Sequence, residues 1–331
     1  MLDRIRRGAL PPGPQRHSEN GHLAVEAGLI TDATQLASAR PTPWQTVQTA
    51  RNPARPHALD IISRVFERFQ ELHGDRAFRD DPAIVGGIAE LDRRPLIVVG
   101  QQKGSSTEEN ILRNFGMPYP EGYRKAIRLY RLAQKFHVPL VTLIDTPGAY
   151  PGPEAEERGQ AEAIASSIQV MTRLGVPVVV VVLGEGGSGG ALALGVGDVV
   201  LALENATYSV ISPEGCAAIL WRSASEAERA AVAMKLAGPD LLDTGVADAL
   251  IREPAGGAHT DHEATAAAIR TALIAQLDRL SRVPVADLLS LRYERFRAFG
   301  TFVEPNGGAA PAPPQPWWRR ILRNPLEKGG L

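Results

Sequence analysis

A chain of 331 residues, 44% hydrophobic and 22% charged, has the profile of a globular protein with room for one large α/β domain or two small ones. A net charge of −1 excludes a global basic field that would draw in nucleic acid or acidic lipid. The single cysteine, Cys216, excludes an internal disulfide and a thiolate metal site built from this chain alone, and fits a reducing, cytoplasmic setting.

Residues 1–54 read as a peripheral segment. Met1–Pro14 mixes charges and prolines without the apolar stretch of a secretory signal. Short helical patches follow at Leu23–Ala27 and Trp44–Ala50. The folded body is expected over 55–303. There Leu59, Ile62, Val65, Phe66, Phe69 and Leu72 recur at helical spacing, predicting one helix. Ile84–Leu91 and Pro95–Gly100 flank Asp92-Arg93-Arg94 and predict a hairpin. A helix follows Pro120, with Ala126, Leu129, Tyr130 and Ala133 on its apolar face. Leu140–Ile144 predicts a buried strand, Glu157–Arg173 a helix, and Val178–Leu183 a strand covered on both faces. Val176–Leu183 is the longest apolar run and is far too short to span a membrane. Short strands are expected at Val199–Leu203 and Thr207–Val210, then helices at Pro213–Leu220, Ala224–Leu236, His262–Leu280 and Val285–Phe299. The alternation predicts an α/β layered domain with mainly parallel strands. Residues 304–331, with Gly307-Gly308-Ala309-Ala310-Pro311, read as a flexible tail.

The most informative stretch is Gly184-Glu185-Gly186-Gly187-Ser188-Gly189-Gly190. Five glycines in seven positions sit between an apolar strand and a helix start. Most positions lack a Cβ, so a ligand can approach the backbone closely. Free N–H groups at a helix start favour negative charge, so the loop suits an anion or a developing oxyanion. Three other motifs compete for these residues and their neighbours. Gly184-x-Gly186-x-x-Gly189 fits a dinucleotide fingerprint, with Glu204 about twenty residues on. Against it, Gly195-Val196-Gly197 ends the helix too early for a parallel crossover. Gly186-x-Ser188-x-Gly190 fits a nucleophile elbow, with His259 or His262 as partner, but neither histidine has a catalytic setting. Asp145-Thr146-Pro147-Gly148 resembles a GTPase tetrapeptide, yet the sequence contains no Gly-Lys pair for a phosphate loop.

A second loop, Asp145–Gly152, also leaves a strand end, and such loops line the ligand crevice of a parallel sheet. His259 and His262 read as surface residues and no metal site is expected. Cys216 reads as half-buried packing. Backbone donors without a convincing acid, base or nucleophile imply chemistry in which the substrates supply the proton transfer.

Several motifs in this order resemble one family. They include Gly74-Asp75-Arg76-Ala77, Gln102-Lys103-Gly104, Arg113-Asn114-Phe115-Gly116-Met117-Pro118, Ile144–Gly152, Ala155–Gln160, Gly184–Gly190 and Tyr208–Ala217. Over roughly residues 55–300 the chain resembles the alpha subunit of bacterial and plastid acetyl-CoA carboxylase carboxyltransferase. The resemblance implies a crotonase-type ββα superhelix. It implies transfer of a carboxyl group from carboxybiotin on the biotin carboxyl carrier protein to acetyl-CoA, giving malonyl-CoA. It further implies a beta-subunit partner with a zinc ribbon, an alpha2beta2 assembly, and biotin carboxylase in the larger complex. By matching motif positions, the alpha chain's oxyanion donors fall at Gly189 and Gly190. Substrate contacts are expected from Gly148, Ala149, Tyr150, Gly186, Gly187, Ser188, Ser212, Pro213 and Glu214.

The N-terminal region is shorter and richer in proline than the family's usual one, and Pro316–Arg323 lies outside the family pattern. Two rival readings stay open. One is a carboxyltransferase for another acyl-CoA, or a hydratase relative with Glu185 or Glu214 as the working acid. The other is a non-catalytic paralogue that binds the beta subunit. Arg124-Lys125 and Arg128 form a local basic patch, a binder of CoA phosphates or a solvated helix face.

Overall fold

The valine run Val178–Val182 sits at the centre of the molecule and is buried along its whole length. We describe residues 28–36 and 40–300 from a computed structural model of the chain. In chain order the elements are β1 (Leu29–Ile30), α1 (Pro43–Ala50), α2 (Ala58–Val65), β2 (Glu67–Glu71), β3 (Ile84–Leu91), β4 (Arg94–Gln101), α3 (Thr107–Leu112), α4 (Pro120–Phe136) and β5 (Leu140–Thr146). They continue with α5 (Pro153–Glu157), α6 (Gln160–Thr172), β6 (Val178–Gly187), α7 (Ser188–Leu192), β7 (Val199–Leu203), β8 (Thr207–Ser209) and α8 (Pro213–Trp221). The last are α9 (Ala227–Met234), α10 (Gly238–Asp243), β9 (Ala249–Ile251), α11 (His262–Leu280) and α12 (Val285–Arg297).

The strands form one sheet in the order β1-β9-β7-β6-β5-β4-β3-β2. Pairing is parallel from β4 through β5, β6 and β7 to β9, and antiparallel at the outer strands β1, β3 and β2. All seven residues of β5 are buried, which the near-continuous apolar runs require of central parallel strands. Two helix pairs pack on the sheet, α4 with α6 and α2 with α11. β6 is long enough to serve two neighbours. Val179–Val182 pairs with β7, and Glu185–Gly187 pairs with β8. The strand expected to end at Leu183 thus runs on through Gly187, with Gly186 still paired to Thr146 at the carboxyl end of β5.

The hairpin is present, but its turn is only Asp92-Arg93, with φ of 50° and 62° at the two positions. Two left-handed residues match the strand twist of a type I′ connection, so Arg94 begins the strand. The single helix expected over Leu59–Leu72 is instead a helix, α2, followed by the edge strand β2. Backbone pairing to the free edge of β3 overrides the apolar period there. A bulge at Arg68, with φ of 52°, roughens that edge. The helix expected over Glu157–Arg173 is α6, which starts only after Gly159, at φ 80°; the short helix α5 precedes it. The ordered body also reaches further back than residue 55. Leu29 and Ile30 pair with β9, and α1 begins with a Thr42–Gln45 capping box. The patch Leu23–Ala27 and the tail 304–331 lie outside the described residues.

Close packing makes some glycines obligatory. A Cβ on Gly87 would lie 1.9 Å from the Gln70 carbonyl oxygen in β2. Gly87→Ala should therefore destabilise the chain by ~1–3 kcal/mol, read from urea unfolding, by prising β2 from β3. The C-terminal helix α12 is fastened by Arg292, which is 1% exposed. Its guanidinium donates to both carboxylate oxygens of Asp198 at 2.8 Å and to the carbonyls of Met171, Leu174 and Val176.

Candidate active site

Both loops expected at the site meet at the ends of β5 and β6. A Cβ on Gly187 would lie 2.2 Å from the Pro147 oxygen, and one on Gly190 would lie 2.6 Å from the Gly148 carbonyl carbon and 2.7 Å from the Ala149 nitrogen. Bare backbone at these two positions is what lets the loops touch. Thr146 fixes the first loop from below, its Oγ1 donating to the Gly148 oxygen at 2.7 Å. Tyr150 continues that loop and stacks on Tyr119, with ring centroids 4.2 Å apart. Burial and a hydrogen bond to Tyr150 push the Tyr119 hydroxyl up to about 12.

The glycine loop turns abruptly into α7. Ser188 has φ of 51°, a conformation that costs a residue with a side chain of order 1–3 kcal/mol. Ser188, Gly189 and Gly190 form the first turn of α7. No side chain caps that end. N–H groups in a helix's first turn have no intrahelical acceptor, so this turn offers adjacent backbone donors at the point where the two loops meet. Gln101 holds the turn from behind, its Nε2 donating to the Gly190 oxygen at 2.7 Å.

Ser212, Pro213 and Glu214 stand at the start of α8. Ser212 Oγ accepts from the Gly215 N–H at 3.1 Å and Pro213 occupies the first helical turn. Glu214 is joined to Glu185 of the glycine stretch through Arg51. Arg51 Nε lies 2.7 Å from Glu185 Oε1, and Arg51 Nη1 lies 2.6 Å from Glu214 Oε1. Lys103 Nζ lies 2.9 Å from Glu185 Oε2 and 2.7 Å from Asp145 Oδ1. Asp145 also accepts the Glu185 backbone N–H at 3.0 Å and faces His57 Nδ1 at 3.3 Å. Burial alone would neutralise these groups. The Lys103 ammonium, with His57, overcomes that burial and holds the Asp145 carboxyl well below the ordinary carboxylate range. Asp145 and Glu185 in turn hold Lys103 above its ordinary value. Burial of Glu214 is likewise outweighed by its hydrogen bond to Arg51, which lowers its pKa.

These ion pairs decide several readings. Glu185 and Glu214, the acids a hydratase would need, are both tied to cations. Ser188 does sit on an elbow-like turn, but the buried His57 Nε2 has no hydrogen-bond partner, so no serine reaches the His57–Asp145 pair. His262 Nε2 is 2.7 Å from the Ala54 carbonyl oxygen. The dinucleotide reading fails on the crossover, because α7 has only five residues. The cations of the basic patch all have partners within the chain. Lys125 is buried against Asp80, Arg124 pairs with Asp75 and Glu121, and Arg128 donates to the Gly74 and His73 carbonyls. Cys216 is half-buried. No helix among the described residues is long and apolar enough to cross a membrane.

Arg51 carries no signal in the sequence, and Lys103 and Asp145 stand there only within motifs, not as site residues. Lys103 follows strand β4 as Asp145 ends β5, and a charge at the mouth of a buried strand was the available signal. Arg51 gave none, since it lies 134 positions from Glu185.

Comparison with known proteins agrees with this geometry. The family described as "Acetyl co-enzyme A carboxylase carboxyltransferase-like" matches residues 28–300. The acetyl-coenzyme A carboxylase carboxyl transferase subunit alpha of Thermus thermophilus is 60% identical over 264 residues, covering 80% of this chain and 85% of the relative. That of Methylococcus capsulatus is 57% identical over 262 residues, covering 79% and 82%. Among solved structures, transcarboxylase 12S superposes with a TM-score of 0.57 at 20% identity, over 79% of this chain and 46% of that one. A Pseudomonas malonate decarboxylase hetero-tetramer in complex with coenzyme A gives 0.53 at 20% identity, over 66% and 89%. At these identities the likeness shows a shared fold, the crotonase-type one expected. Two independent lines, the ordered motifs and the long matches at high identity, reach one conclusion: the chain belongs to the family of acetyl-CoA carboxylase carboxyltransferase alpha subunits.

Proposed function

We propose that the chain supplies half of a site that moves a carboxyl group from carboxybiotin, carried on a separate carrier protein, to acetyl-CoA. The observation that carries this reading is the uncapped first turn of α7, half-buried at Ser188 and Gly189, with Gly190 seated against Gly148–Ala149. Carboxybiotin supplies the carboxyl group and, once that has left, the base. The chain's own part is electrostatic. The N–H groups of Gly189 and Gly190 take up the negative charge that develops on the biotin ureido oxygen. Such preorganised donors contribute without reorganising during the reaction. The ion-paired state of Asp145, Glu185 and Glu214 supports a mechanism in which no side chain of this subunit exchanges a proton.

A zinc-ribbon beta subunit completes the site, in an alpha2beta2 assembly that works with the biotin carboxyl carrier protein and biotin carboxylase. Gly148, Ala149, Tyr150, Gly186, Gly187, Ser188, Ser212, Pro213 and Glu214 line the biotin side. The purified chain alone should make no malonyl-CoA. The chain reconstituted with the beta subunit and carboxylated carrier should. Transfer by the isolated chain would overturn the shared site, and an inactive complex would leave the non-catalytic reading in its place.

A further inference from the structure

Glycine-rich loops are entropically expensive to hold still, because residues without side chains offer nothing to grip. In the run Gly184–Gly187 one side chain is present, Glu185. It is gripped from two directions, by Lys103 at 2.9 Å and by Arg51 at 2.7 Å. Its own backbone N–H is held by Asp145. Arg51 continues the chain of charges to Glu214 at the start of α8, so one guanidinium spans the glycine loop and the next element that borders the site.

Arg51 is itself fixed. It caps the C-terminus of α1, its N–H donating to the carbonyls of Val47 and Thr49. α1 is pinned against α9 by a small apolar cluster of Val47, Ala231, Leu236 and Ala237, flanked by Trp44 and Met234. This cluster is separate from the main core. The result is a bracket, built from the segment before residue 55, that reaches the one side chain in the run Gly184–Gly187 and adds to that run's backbone pairing with β5 and β8.

We infer that Arg51 is a positioning residue for the proposed reaction: through Glu185 it holds the donors at the start of α7 where they act, and through Glu214 it sets the distance between that loop and α8. This rests on the carboxyltransferase reading for its kinetic consequence but not for its structural one.

Arg51 is one-third exposed, so removing its charge spares the core, unlike removal of the buried Lys103. Arg51→Met in the reconstituted complex should lower kcat ~10–100-fold, the scale of a small misplacement of reacting groups. KM for acetyl-CoA should stay within about twofold, since only the biotin side moves. Arg51→Lys should recover part of the loss, because an ammonium can pair with one carboxylate but not span two. Adding Glu214→Gln to Arg51→Met should cost little more, as expected of links in one network. Hydrogen–deuterium exchange on the isolated full chain gives an activity-independent reading. The amides of 185–187 should exchange faster in Arg51→Met than in the parent. Unchanged exchange there, or an unchanged kcat in an active complex, overturns the inference. An inactive parent complex counts against the carboxyltransferase reading alone, and the exchange experiment still decides the bracket.

Discussion

Gly190→Val is expected to lower carboxyl transfer by ~10²–10³-fold in the reconstituted complex, the loss typical of one oxyanion donor. The reason is local. The first carbon of any side chain at this position falls 2.6 Å from the Gly148 carbonyl carbon and 2.7 Å from the Ala149 nitrogen, both backbone atoms that cannot rotate away. The two loops must part, and the N–H groups in the first turn of α7 leave their places. Gly190→Ala should act in the same direction, since the Cβ alone makes the contact. The sheet does not pass through this junction, so size-exclusion chromatography should still show assembly with the beta subunit. A variant with near-normal transfer would remove Gly190 from the mechanism.

Arg292→Met should cost ~3–5 kcal/mol of stability, because it strands a buried Asp198 carboxylate without its partner. Three carbonyls, those of Met171, Leu174 and Val176, lose a donor at the same time. Asp198 also accepts the Val178 N–H, so the damage reaches the first residue of β6. Urea unfolding measures the loss, and a change under about 1 kcal/mol would show that the knot is replaceable. Pairing the substitution with Asp198→Asn should recover part of it, since no full charge is then left buried.

Much of this arrangement was legible beforehand. The apolar runs that became β5 and β6 have no reading except burial, and the glycine loop announced a helix start that something must approach. One departure from the sequence pattern comes from a longer-range interaction and one from a local turn. Phe69 and Leu72 continue the apolar period of α2, yet the free edge of β3 recruits the segment after Phe66 as strand. Gly159, by adopting a left-handed turn, delays the start of α6 to Gln160. The pairing of Arg51, Lys103, Asp145 and Glu185 into one bracket could not be read. Its members come from four separated stretches, and ion pairs between distant residues leave no periodicity in a sequence. Glu185 and Glu214 looked like candidate acids because pattern shows residue type, while only geometry shows that each carboxylate already has a cation.

The outermost strand carries one more consequence. Leu29 pairs with Ile251, so the first and last strands of the described residues lie side by side at this edge. During synthesis the early segment must wait on the ribosome with an unpaired edge until nearly the whole body has emerged. Closure over so many intervening residues is intrinsically slow. The nascent chain is therefore most exposed to mispairing and to chaperone capture just before its final strand appears.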